Sequence, residues 1–134
     1  MTTRTFAMIF GLVFLAIGVA GALGLAGYAP GLVSDQHDGH GLLFGMFAVN
    51  QLHNVAHIIF GLWGLAAMRS AGGSIMYARG VALIYAVLAV LGLVYPEGDA
   101  LGLLPLHGND VYLHAGLALV AAYFGWMHRS AAAV

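Results

Sequence analysis

The stretch VNQLHNVAHIIFG, residues 49–61, sets Asn50, His53, Asn54 and His57 into a chain otherwise built largely of Leu, Ala, Gly and Val. His53 and His57 are four apart, so on a helix they stack on one face, one turn from each other. Asp110 and His114 repeat that spacing later in the chain. Brought together, three imidazoles and a carboxylate on rigid helices form a ligand set for a borderline divalent metal, zinc or copper, with iron also compatible. Asn50 and Asn54 bracket the first pair and are expected to orient the imidazoles by hydrogen bonds. His107 leads into the second pair and is grouped with them as a supporting residue. Other readings stay open. His57 and His114 suit bis-histidine ligation of haem b, the same side chains can form a hydrogen-bond network that only holds helices together, and they can mark a proton or ion route.

The elements that must position these residues follow from composition. Of 134 residues, 62% are hydrophobic and 7% charged, far below the roughly one quarter charged in soluble domains. Such a chain belongs in a bilayer. Charges fall only at Arg4, Asp35, Asp38, Arg69, Arg79, Glu97, Asp99, Asp110 and Arg129, and the runs between them are long enough to cross about 30 Å of hydrocarbon as helix. The expected fold is all-α: one transmembrane domain over 1–134, a four-helix bundle with spans at about 5–28, 42–68, 77–95 and 107–128. The first run follows Arg4 as a secretory signal would, but it outlasts the about 7–15 apolar residues of a signal and reads as a retained span.

The composition also excludes function classes. There is no cysteine, which removes disulfides, thiolate metal sites and thiol nucleophiles. With no lysine and four arginines there is no nucleic-acid footprint. Ser34, Ser70, Ser74 and Ser130 fall in loops or tails without a strand–turn–helix context, so independent catalysis is not expected.

Charge sets the orientation. All four arginines lie at the termini or in the loop between spans two and three, the side that short Arg-rich loops assign to the cytoplasm. All five acids fall in or beside loops 29–41 and 96–110, as do Pro30, Pro96 and Pro105. Both termini are therefore expected in the cytoplasm. The partners implied are the lipid bilayer and, given so many apolar faces, a second copy or a larger membrane complex.

The second half echoes the first. LFGMFAVNQLHNVAH (43–57) laid on ALGLLPLHGNDVYLH (100–114) without a gap superposes Gly45 on Gly102, Asn50 on His107, His53 on Asp110 and His57 on His114. Two similar helical hairpins follow, with spans two and four running the same way and His57 and His114 at similar depth. Gly18, Gly21, Gly24 and Gly27, Gly61 and Gly64, and the Ala- and Gly-rich run around Gly116 are expected to let helices approach closely. Trp63 is read as packing, Tyr123 and Trp126 as interfacial anchors, and His128 as interfacial beside Arg129. SDQHDGHG (34–41) reads as turns, with Asp35, His37, Asp38 and His40 an alternative chelating loop. Glu97 and Asp99 read as solvated charges.

The stretch at 43–65, the arginine-flanked loop after it, and GLLPLHGNDVYLH at 102–114 together resemble the small bacterial four-span membrane proteins grouped as domain of unknown function 4383. The most specific part is N-x-x-H-N-x-x-H, carried by Asn50, His53, Asn54 and His57, with the later Asp110 and His114. The resemblance implies a bacterial inner-membrane location, the architecture and the polar positions, and no established activity. One departure is Ala48, where proline is expected by analogy with Pro105; this is read as affecting the turn into the helix and not the ligands.

Overall fold

The computed structural model describes residues 1–128. Four helices dominate: α1 (Thr3–Leu25), α2 (Gln51–Ala67), α3 (Ala71–Val94) and α4 (Asn109–Ala122), the last continued by a π-helical turn over Tyr123–Met127. The first three each start on a side chain that accepts from an otherwise unpaired N–H: Thr2 for α1, Asn50 for α2 and Ser70 for α3. Because Ser70 caps α3, that helix begins before the expected position 77. Ser74 consequently lies buried in its first turn, donating to the Ala67 and Ser70 carbonyls, and not in a loop.

The all-α expectation is incomplete. A three-stranded antiparallel sheet, β1 (Val33–His37), β2 (His40–Leu43) and β3 (Phe47–Asn50), precedes α2. The span expected over 42–68 is therefore helical only from Gln51. The reason lies in the two hairpin turns. Asp38 and Gly39 hold φ of 47° and 80° in the two-residue turn between His37 and His40, and Phe44 and Gly45 hold 54° and 69° in the three-residue turn between Leu43 and Phe47, left-handed angles that hairpin turns use and a right-handed helix forbids.

The internal repeat is visible in the backbone. Leu101 and Gly102, which superpose on Phe44 and Gly45, hold φ of 55° and 69°. Met46 N–H donates to the Leu43 carbonyl, and its counterpart Leu103 donates to that of Ala100. The Leu43–Phe47 strand pair recurs as a single bridge between Ala100 and Leu104. The two halves also brace each other. Asn50 Nδ2 donates to the Leu103 carbonyl at 2.8 Å, and Asn109 Nδ2 donates to that of Met46 at 3.3 Å; Met46 and Leu103 occupy equivalent positions in the repeat.

α1 packs on α2 and α3 on α4, and α1 also meets α3. The α1–α2 interface is closed by glycine. A Cβ on Gly18 would stand 2.7 Å from the Asn54 carbonyl oxygen, and one on Gly64 2.8 Å from that of Ala7. Gly27 and Gly116 face nothing within 4 Å, so the packing role expected of them is not realised. Away from the sheet the core is aromatic, with Phe6, Phe14, Tyr77 and Tyr85 fully buried and Trp63 edge-on to Tyr77 at 5.0 Å.

α1 and α3 are long and apolar enough to cross a membrane. Arg4 donates to the Met68 and Arg69 carbonyls, and Arg79 donates to that of Gly125 while lying over the Trp126 ring. Three arginines thus gather at the end where α1 begins and α2 ends; Arg129 lies outside the described residues. His128 packs against Tyr123 and Phe124.

Candidate functional site

His53 lies in the first turn of α2 and His57 one turn on. Asp110 and His114 occupy the same spacing at the start of α4. All four are buried, none more than 7% exposed, so four ionisable side chains share the interior. The His53 ring is 4.7 Å from that of His57 and 5.9 Å from that of His114. The expected meeting of His57 with His114 is thereby modified: His53 is the ring that neighbours both. Among the described residues α2 and α4 make little close backbone approach, so their side chains carry most of the junction.

Two backbone carbonyls set the ring orientations. His53 Nδ1 lies 3.1 Å from the Ala48 oxygen and His57 Nδ1 3.0 Å from that of His53. A carbonyl only accepts, so each Nδ1 carries the hydrogen and each Nε2 is a bare lone pair. Among the described residues the buried His53 Nε2 and His114 Nδ1 have no hydrogen-bond partner. Asp110 Oδ2 accepts the Ala48 N–H at 2.9 Å. One peptide backbone therefore holds both His53 and Asp110. The reading that Ala48 concerns only the turn is corrected, since proline there would have no N–H to give.

The amides play other parts than expected. Asn50 Oδ1 accepts the His53 backbone N–H, capping α2, and its Nδ2 reaches Leu103. Asn54 is fully buried against Gly21 of α1, with only a 3.5 Å bond to Gln51. Neither orients an imidazole, because capping turns the first out of the cluster and helical rotation turns the second toward α1. His107 is also apart from the cluster, in a pocket on the sheet's other side.

A cavity of about 150 Å³ adjoins the cluster, with Phe14, Phe47, Val49, His53, His57 and Asp110 among its walls. Its aromatic side is a wall: Phe14 is edge-on to His57 at 5.7 Å, Tyr85 is edge-on to His114 at 5.1 Å, and the two stack at 5.3 Å. The volume is below the about 300–1,000 Å³ of small-molecule sites, too small for a macrocycle without rearrangement. Imidazoles around one tetrahedral ion, with nitrogens at about 2.0–2.1 Å, have ring centres on the order of 5 Å apart. The observed spacings bracket that value, although among the described residues no three His, Asp or Glu side chains stand in a metal-ligating arrangement.

Beyond the sheet lies a second pocket of about 500 Å³, walled by His37, Asp38, His40, Ala48, Asp99 and His107. His40 Nε2 meets Asp99 Oδ2 at 2.8 Å, and its Nδ1 meets the Asp38 carbonyl at 3.0 Å. An acceptor at each nitrogen favours the imidazolium form of the ring. The Asp99 hydrogen bond, opposed by partial burial and aided by Asp38, holds its pKa above the usual 6.5. Asp99 is thus a partner and not a merely solvated charge. His37 Nδ1 is taken by the Asp35 carbonyl at 2.7 Å, and the 34–41 loop is a hairpin with its imidazoles engaged. Asp38-Gly39 was its readable sign. Nothing in the sequence pointed to the His40–Asp99 pair, whose members lie in different loops.

The profile of the family described as domain of unknown function (DUF4383) matches residues 4–127, taking in all four helices, the sheet and the cluster. The chain belongs to this family. No curated protein and no solved structure matches it, so the chemistry must be argued from the side chains themselves.

Proposed function

We propose that the chain is a four-span bacterial inner-membrane protein, both termini cytoplasmic, that holds a transition-metal ion among His53, His57, Asp110 and His114. The placement of its side chains supports four crossings. Leu12, Ile59, Leu83, Leu93 and Leu119, drawn from all four helices, are exposed, while the imidazoles and Asp110 are buried. That is the inverse of a soluble bundle and the arrangement lipid favours. The 17 residues of α2 extend about 26 Å at 1.5 Å per residue, within the lower range for a span. The arginines gathered at one end support the cytoplasmic placement of that end.

The observation that carries the metal reading is the buried Nε2 of His53, left unpartnered among the described residues while its Nδ1–H is fixed by the Ala48 carbonyl, with the unpartnered Nδ1 of His114 beside it. Leaving a buried polar atom unsatisfied costs about 1–3 kcal/mol, and carbonyl-anchored imidazole is the form in which histidine binds metals. His114 has a ring nitrogen to offer, and among the described residues the second oxygen of Asp110 carries no hydrogen bond, so side-chain rotation can complete the set. Zinc or copper fits this set best and iron is compatible; the small cavity favours an ion over haem b. A bound ion would serve metal handling or, for copper or iron, electron transfer. Adding Co²⁺ to the detergent-solubilised chain is expected to give ligand-field absorption saturating at one ion per chain and lost in His53→Ala and His57→Ala. No uptake of Co²⁺, Zn²⁺ or Cu²⁺ overturns the reading.

A second reading makes the cluster a brace, in a subunit that docks on a larger complex or on its own copy. The Ala48–Asp110 bond between the repeats favours it. It gives the free imidazole nitrogens no task. Lower melting temperatures for His57→Ala and His114→Ala, without metal uptake by the unaltered chain, would select it.

A further inference from the structure

We propose that the β2–β3 ribbon is a gate between the outer pocket and the buried cluster, held shut by the His40–Asp99 pair that bridges the two repeats. Side chains alternate across a strand, and here the alternation divides two cavities. His40, Leu42 and Ala48 belong to the outer pocket, whereas Leu43, Phe47 and Val49 belong to the cavity beside His53 and His57. The strand register pairs Leu42 with Ala48 and Leu43 with Phe47, so each face is continuous across both strands. The ribbon is one layer of backbone between open pocket and imidazoles. At its centre Ala48 lines the outer pocket while its N–H and carbonyl hold Asp110 and His53 on the inner side.

A layer that thin opens by local unfolding unless its edge is tied. The tie at the open-pocket end is His40, the first residue of the central strand β2, bonded to Asp99 in the loop between α3 and α4. Both nitrogens of His40 face acceptors, so only the protonated ring can donate to both, and the tie to Asp99 is strongest in that form. The groups around it are Asp38 and His37 on its own hairpin, the latter ring 6.4 Å away, Asp99 opposite, and His107 in the same pocket. Loss of the proton leaves one donor for two acceptors and turns the bond to Asp99 from a charged pair into a neutral-donor hydrogen bond, so the tie at this end of the ribbon weakens.

The gate rests on the metal-site reading only for what passes through it, and its test needs no metal. The chain lacks cysteine, so Val49→Cys places one thiol on the inner face of the ribbon. Its rate of labelling by a water-soluble maleimide is divided by that of Tyr28→Cys, an exposed position, to remove intrinsic thiol reactivity. At pH 6 the ratio is expected to be low and to rise about fivefold with Asp99→Asn, the scale of a partly exposed charged hydrogen bond. Raising the pH to 8 should give a smaller rise with Asp99 in place, no rise in Asp99→Asn, and none in His40→Arg, whose charge persists. Equal ratios with and without Asp99→Asn at pH 6 overturn the proposal. Should Val49→Cys misfold, amide exchange of residues 40–50 in the otherwise unaltered chain reads the same opening: faster in Asp99→Asn while α1–α4 hold supports the gate, and unchanged exchange rejects it. The labelling and exchange are read on protein without added metal, so failure of the metal site and failure of the gate are separable.

Discussion

The Ala48 N–H donates to Asp110 Oδ2 at 2.9 Å, so a backbone group of the first repeat is the one hydrogen-bond partner that a buried carboxylate of the second finds among the described residues. The same residue's carbonyl takes the Nδ1–H of His53. A site named by its side chains is thus organised by a peptide group.

Ala48→Pro is expected to destabilise the protein by about 1–3 kcal/mol, the cost of stripping a buried acceptor of its donor. Ala48→Gly keeps the N–H and should cost under about 1 kcal/mol. Thermal melting of the three proteins in one detergent measures the difference. Equal melting of the proline and glycine variants would show that the bond contributes nothing.

Gly21→Ala places a methyl group against the Asn54 side chain, which is fully buried and in contact with Gly21. Overpacking of this kind costs about 1–3 kcal/mol. Asn54→Ala makes room, so the double variant should melt above the sum of the two single losses, with a coupling of about 0.5–3 kcal/mol. Strict additivity would mean that the two residues are not in contact.

The His40–Asp99 pair makes stability depend on pH with a definite sign. A histidine whose folded pKa is raised above 6.5 binds its proton more tightly folded than unfolded. Its contribution is complete below about pH 6.5 and is lost as pH rises through the folded value. The pair is partly exposed, the two side chains at 32% and 22%, so the contribution is under about 1 kcal/mol. Melting temperature should fall from pH 6 to pH 8 in the unaltered chain, and the part of that fall due to the pair should vanish in Asp99→Asn. Identical pH profiles for the two proteins would remove the pair from the account.

Much of the site was legible because its signals are local. The i, i+4 spacing of His53 with His57 and of Asp110 with His114, and the superposition of 43–57 on 100–114, are properties of the chain that survive folding. The turn angles at Phe44–Gly45 and Leu101–Gly102 are alike, 54° and 69° against 55° and 69°. The sheet was hidden because its ribbon carries apolar residues on both faces, Leu42 and Ala48 on one and Leu43, Phe47 and Val49 on the other, which reads as a continuation of a greasy helix. Asn54 was misassigned because a helix face does not say which neighbour it meets; Gly21 decided that. Ala48 was passed over because its contribution is a backbone N–H that no side-chain pattern displays.

Metal analysis of the chain after mild detergent extraction, by elemental analysis of the unaltered protein beside His53→Ala/His57→Ala, tests the central claim most directly. About one zinc, copper or iron per chain, lost in the double variant while its helical circular dichroism is retained, is the predicted result. A metal-free protein that stays metal-free after incubation with each ion, or equal metal in both proteins, contradicts it.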